Sequence, residues 1–217
     1  MHTSIFLLTL NLILLAISAP PIKGEADAEL VCDDPTTTHL CVVARDIETA
    51  VEQADVATFR HDQRTSVAPP RMGLLPLPFQ GEAAREAAAA ALVTVAWHES
   101  DRFSAAMMDC SACPLGGPRC DRGKSISIYQ LHTGVSWMGY SREDICSDNL
   151  LATKLSLHWL SYHGRRTRSV IGMMRGYASG DPAIKSDAAN QLERMFRVAM
   201  GRGSLQLLPK LCMTASR

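Results

Sequence analysis

The sequence has no excess of charge of either sign. Lys and Arg total 22, Asp and Glu total 22, and the formal net charge is zero. A nucleic-acid surface needs a basic excess to neutralise phosphates, so this balance argues against that class. The basic run Arg165-Arg166-Thr167-Arg168 reads as a solvated loop. The N-terminal apolar stretch over 3–19 falls short of a membrane span, which needs roughly 20 residues. There is no internal repeat, which excludes a solenoid or array. The only biased segment is the alanine run 87–91.

What is present is a chain of 217 residues, 47% hydrophobic. That length holds one domain of ordinary size plus an export signal and a short extra region. The run Ile5-Phe6-Leu7-Leu8 to Leu12-Ile13-Leu14-Leu15-Ala16-Ile17 precedes Ser18-Ala19 and a Pro pair. This order reads as a secretory signal peptide over 1–24, although no Lys or Arg precedes the apolar run. Pro20 is a poor residue just after a cleavage point at Ala19, cleavage near Ala26 or Ala28 is an alternative, and an uncleaved anchor is the competing reading. The expected location is therefore periplasmic or secreted, with no stable membrane insertion after signal removal. Seven cysteines, at 32, 41, 110, 113, 120, 146 and 212, agree with an oxidising compartment. Their odd number leaves one unpaired, joined to another chain or bound to something else.

The fold class expected is mainly α. Thr36-Thr37-Thr38 can cap a helix running through Cys41, Val43, Ile47 and Val51 to about Phe59, with Asp46, Glu48 and Glu52 largely off its apolar face. Cys32 and Cys41 flank its start and are a plausible disulfide. Pro69-Pro70, Pro76 and Pro78 make 66–80 a connector, whose Leu74, Leu75 and Leu77 suggest that it lies across the main domain. This N-terminal helix and connector, 25–80, precede a main domain over 81–217. That domain opens with a helix from Glu82 to about Ser100, favoured by alanines and by acids near its positive end. A Cys- and Gly-rich insertion over 108–124 follows, broken at Gly116-Gly117-Pro118. Ile126 to Leu131 fits strand or helix. Helices are expected over 141–163, from Val170 to Tyr177, and from Ser186 to Ala199.

Glu99 is the residue that carries chemistry. It lies seven, four and three positions after Leu92, Val95 and Ala96, so it shares their apolar helix face. Burial disfavours a charged carboxylate and raises its pKa, and a carboxylic acid held protonated is what a glycosidase uses on a leaving oxygen. Spacing alone favours a structural carboxylate instead, held by a hydrogen bond or an ion pair, for instance with Arg102 or Arg122. A zinc-protease reading of His98-Glu99 fails, because the second His of such a helix would stand at 102, which is Arg.

The run Trp97-His98-Glu99-Ser100-Asp101-Arg102-Phe103 resembles the catalytic-helix signature of the lytic transglycosylases, a branch of the lysozyme-like superfamily. The family's second motif, a Ser, one residue, then Gly-Leu-Met-Gln, is matched by Ser125-Ile126-Ser127-Ile128-Tyr129-Gln130. Its third, Ala-Tyr-Asn, is matched by Gly176-Tyr177-Ala178. The resemblance covers about 83–200. Two positions depart from the pattern: Ser127 stands for Gly, which would narrow the cleft floor, and Ala178 stands for Asn, which would remove a polar contact to substrate.

The resemblance implies a lysozyme-like helical domain with a small irregular or β-like insertion and a short N-terminal helical extension. It implies cleavage of the β-1,4 bond between N-acetylmuramic acid and N-acetylglucosamine in peptidoglycan, with no cofactor and no metal. Glu99 would protonate the glycosidic oxygen and then take a proton from the C6 hydroxyl, giving a 1,6-anhydro product. Ser100 would orient Glu99 or the sugar, and Ser125, Gln130 and Tyr177 would line the cleft. Trp137, in a loop after the Gln motif, would stack on a sugar. Trp159 reads as core. If Asp101, Asp109 or Asp121 faced Glu99, ordinary lysozyme-type hydrolysis would be favoured. A lysozyme-like module that binds glycan or protein without turnover is the other function class. A third is a zinc-held interaction domain built on Cys110, Cys113, Cys120 and His132. Export favours disulfides instead; their connectivity is left open, a Cys120–Cys146 bond tying the insertion to the following helix and a Cys110–Cys113 bond making a tight ring.

Overall fold

A computed structural model of the chain describes residues 38–54, 82–100, 102–133 and 136–204. The expected signal peptide, the proline-rich connector, Asp101, Cys32 and Cys212 lie outside the described residues. The fold is mainly helical, as expected. In chain order come α1 (Thr38–Glu52), α2 (Glu82–Glu99), the short α3 (Ala105–Met108), strands β1 (Ser125–Ile126) and β2 (Leu131–His132), α4 (Arg142–Ser147), α5 (Asn149–Thr167), α6 (Val170–Ser179) and α7 (Asp187–Met200). Before β1, Cys120–Gly123 closes one turn with left-handed backbone, φ between 49° and 79°.

Helix α2 is the centre of the packing. Ala87 to Leu92, Val95 and Ala96 are all fully buried, because the methyl side chains let neighbours approach on several sides at once. Helices α1, α5 and α7 pack against it, and α6 lies between α5 and α7. Helix α1 belongs to the same core: Cys41, Val43, Ala44, Ile47 and Val51 join the alanines of α2. One charged residue of α1 departs from its expected place. Asp46 is only 5% exposed, because its carboxylate accepts a hydrogen bond from the Asn149 amide at the start of α5.

The single helix expected over 141–163 is two. Ser141 and Asp144 form a reciprocal capping box at the start of α4. The chain then leaves helical geometry at Asp148 (φ −130°, ψ 94°), whose carboxylate accepts from the Leu151 N–H and starts α5 afresh. Helix α5 runs to Thr167, past the expected end, and stops at left-handed Arg168. The remaining boundaries agree with the sequence within a few residues, and the first helix is described through Glu52. The Ile126–Leu131 segment is a hairpin, pairing Ser125 with His132 and Ile126 with Leu131.

The structure supplies the cysteine connectivity that the sequence leaves open, and it is neither of the two pairings considered there. Cys110 is bonded to Cys146 and Cys113 to Cys120. Cys110 and Cys113 share one tight turn, in which the Cys113 N–H donates to the Cys110 carbonyl, yet each reaches a different partner. The three thiols of the zinc alternative are thereby consumed. The Arg142 guanidinium adds polar support, donating to the carbonyls of Gly123, Cys110 and Cys113. Cys41 is buried in α1. Among the described residues, no helix is long and apolar enough to cross a membrane.

Helix α5 buries two imidazoles, His158 and His163, at 5% and 4% exposure. Burial, with a smaller contribution from Arg165 for the first and Arg166 for the second, lowers each to about 4. The His163 ring lies directly against Gly176 of α6, where a Cβ would clash with it. Trp159 is half-buried beside both rings and Tyr162.

Two outcomes follow for stability. Between the unfolded histidine value near 6.5 and the folded value near 4, the unfolded chain binds more protons. Stability is therefore complete above pH 6.5 and falls as pH drops toward 4, by on the order of 3 kcal/mol for each ring. Urea titrations across that range are expected to show the loss, and His163→Gln to remove part of it. Non-reducing peptide mapping is expected to recover Cys110–Cys146 and Cys113–Cys120, and Cys110→Ala with Cys146→Ala to cost about 2–4 kcal/mol.

Candidate functional site

Glu99 is the last residue of α2. Its side chain is 22% exposed, at the open end of the buried face formed by Leu92, Val95 and Ala96. The chain beyond it turns sharply, with Arg102 and Phe103 both left-handed. Two devices hold this turn. The buried Ser100 hydroxyl donates to the Ala96 carbonyl and accepts from the Phe103 N–H at 2.8 Å. The Phe103 ring stands edge-on to Trp97, with centroids 5.4 Å apart. The serine after Glu99 thus closes the helix end from inside, and its hydroxyl is used there.

The partner observed for Glu99 is His98, whose Nδ1 lies 3.3 Å from Oε1; the side chain of His98 is 19% exposed. The Glu99 contact raises the His98 pKa against the effect of burial, and Gln191 of α7 adds to the rise. Arg102 and Arg122, the partners of the structural reading, are exposed.

Tyr177 of α6 is bonded to the hairpin turn and to α5. Its hydroxyl donates to the Tyr129 carbonyl at 2.8 Å and lies 2.9 Å from the Ser156 hydroxyl of α5. Burial, then the nearby charges of Glu99 and Tyr129, hold this phenol well above its usual range. Tyr129 is itself fully buried in the hairpin turn, its hydroxyl 3.1 Å from that of Thr153. The turn needs unusual backbone at both ends: Ser127 has φ 64° and Gln130 φ 48°. Glycine adopts this region freely, whereas other residues carry a steric cost. At Ser127 a local bond offsets part of that cost, since its fully buried hydroxyl accepts from the Tyr129 N–H. The serine side chain is folded onto its own turn.

The other expected residues are placed as follows. The Gln130 amide donates to the Ser127 carbonyl at 3.2 Å and lies beside the Cys113 sulfur. Ser125 is buried and donates to Asp121. Trp137 is half-buried, and its ring N–H donates to the Leu131 carbonyl at 2.9 Å. Ala178 is exposed on α6. Asp109 accepts from the Ser111 N–H, so both described candidates for a second carboxylate are engaged within their own loops. Tyr177 and the Tyr129-Gln130 turn are therefore joined directly, Glu99 acts on the Tyr177 phenol through its charge, and Ser100, Ser125 and Trp137 brace the helix end and hairpin. His98, Tyr129, Thr153 and Ser156 were not singled out as site residues in the sequence. The signal for the last two was a buried hydroxyl within an apolar helix face. The groove lined by Arg168, Ser169, Phe196 and Met200 does not include Glu99.

Ser100→Ala is expected to strand the buried Phe103 N–H and cost about 1–3 kcal/mol, read as a lower denaturation midpoint, with Ser100→Thr losing less.

Comparison with protein-family models, with curated proteins and with solved structures found no match.

Proposed function

We propose that this chain is an exported peptidoglycan-cleaving enzyme of the lytic transglycosylase type, with Glu99 as its single acid and base. The observation that carries the reading is the bond from the Tyr177 hydroxyl to the turn that holds Gln130, with Glu99 closing α2 and contributing, after burial, to the rise of the Tyr177 phenol. Glu99, that turn and Tyr177 lie in the segments that carry the family's three motifs. Ser127 adds support, because the position where the family has glycine has the backbone conformation that glycine favours.

In the proposed reaction the Glu99 carboxyl gives its proton to the glycosidic oxygen between N-acetylmuramic acid and N-acetylglucosamine. The bond from C1 of the muramic sugar to that oxygen breaks. The C6 hydroxyl of the same sugar then bonds to C1, and its proton passes to the Glu99 carboxylate. The ring closes as a 1,6-anhydro sugar, the acid is restored, and no water is consumed. The local engagement of Asp109 and Asp121 favours this route over two-carboxylate hydrolysis. The disulfides suit an exported protein.

The inward turn of the Gln130 amide and the alanine at 178 favour a second reading, a glycan-binding module without turnover. Purified sacculi distinguish the two. Glu99→Gln is expected to reduce soluble muropeptide release by about 10²–10⁴-fold, with anhydro ends in the wild-type products by mass spectrometry. Equal release by mutant and wild type would defeat the catalytic assignment, and reducing ends alone would assign hydrolysis.

A further inference from the structure

We infer that Asp46, on the N-terminal helix α1, is a positioning residue for the Glu99 site, acting through a buried chain of polar contacts that ends at Tyr177. Its effect on cleavage rests on the function proposed above, while the chain itself is geometric. The Asp46 carboxylate accepts from the Asn149 side-chain amide at 2.8 Å. The Asn149 carbonyl accepts from the Thr153 hydroxyl, also at 2.8 Å. The Thr153 and Tyr129 hydroxyls are 3.1 Å apart. The Tyr129 carbonyl accepts from the Tyr177 hydroxyl at 2.8 Å. Four contacts thus lead from α1 through α5 and the hairpin turn to α6.

Burial makes this chain consequential. Asp46 is 5% exposed, and Thr153 and Tyr129 are fully buried, so the central Thr153–Tyr129 link cannot exchange its partner for water without opening the core, while Asn149 and Tyr177 at its flanks are half-buried. A carboxylate is a costly group to bury, and an apolar residue would suit the core side of α1 better. Two features offset that cost. Asp46 sits at the positive N-terminal end of α5, and Arg45 stands 3.6 Å away at the surface. Burial still pushes the Asp46 carboxyl up.

Tyr129 is gripped at both ends, its hydroxyl by α5 and its carbonyl by α6. It lies inside the turn whose ends, Ser127 and Gln130, have left-handed backbone. A turn of that kind keeps its shape only while its surroundings hold it. Asp46 orients Asn149 at the head of the helix that supplies Thr153, and so helps set where Tyr129 and Tyr177 stand relative to Glu99. Helix α1 is thereby part of the site's foundation.

The test uses the full chain with ¹³Cζ-labelled tyrosine, the signals assigned with single Tyr→Phe variants. Asp46→Leu is expected to move the Tyr129 and Tyr177 resonances. It is also expected to lower kcat for muropeptide release about tenfold per folded molecule, with KM little changed. Asp46→Asn keeps an oxygen for the Asn149 amide and is expected to restore both readouts to within about twofold of wild type. Unmoved tyrosine signals in folded Asp46→Leu, or an unchanged kcat, would overturn the inference. If Asp46→Leu does not fold, Thr153→Val cuts the same chain at a neutral position and must move the same resonances, and unmoved signals there overturn it equally. A wild-type chain that releases no muropeptide defeats the cleavage reading and the kinetic half of the inference. The tyrosine signals then decide the polar chain by moving or staying.

Discussion

One hydrogen bond joins the hairpin turn to α6 in the candidate site: the Tyr177 hydroxyl on the Tyr129 carbonyl, 2.8 Å long and partly buried. A carbonyl inside a tight turn has few available donors, and here the donor comes from a helix almost fifty residues away. The bond ties the hairpin turn to α6 at Tyr177. The close approach of α5 and α6 behind it depends on a second contact, between His163 and Gly176, immediately before Tyr177. Backbone without a side chain at 176 lets the buried imidazole lie flat against the helix that carries the tyrosine. The site is therefore sensitive to the packing of a helix pair that supplies no acid of its own.

The insertion between α2 and α4 is held by different physics. It has little regular structure, and several residues, among them Cys110, Cys120, Asp121 and Arg122, have positive φ. Such backbone costs roughly 1–2 kcal/mol per residue relative to ordinary conformations. Two disulfides and the Arg142 guanidinium, which gathers three loop carbonyls, keep it in place. Polar and covalent ties do here what the alanine face of α2 does elsewhere. The hairpin that follows inherits this rigidity, since Gln130 rests beside the Cys113 sulfur.

Much of the helical plan was legible in the residues. Alanine content and apolar spacing marked α2, and a serine with acids behind it marked the starts of α4 and α7. The Asp148 break was missed because an aspartate between two helical stretches reads as a surface position until its carboxylate is seen capping Leu151. Asp46 was misplaced for a related reason. Periodicity assigns a face by the neighbours on the same helix, and it cannot register a hydrogen-bonding partner 103 positions away.

At the site, the sequence by itself determined that Glu99 stands at the end of an apolar helix face, with a serine behind it and an aromatic residue four positions on. Those are local facts, set by helical geometry and by the left-handed turn that Ser100 and Phe103 stabilise. Only the tertiary structure decided how buried Glu99 is and which hydroxyls brace Tyr177 and Tyr129. It also paired the cysteines, since four thiols allow three connectivities and the choice depends on which come together in space. The division has one physical origin. Caps, periodicity and turn preferences act over a few residues and are written in order along the chain, whereas burial and hydrogen-bond partnership arise when distant segments compete for the same interior.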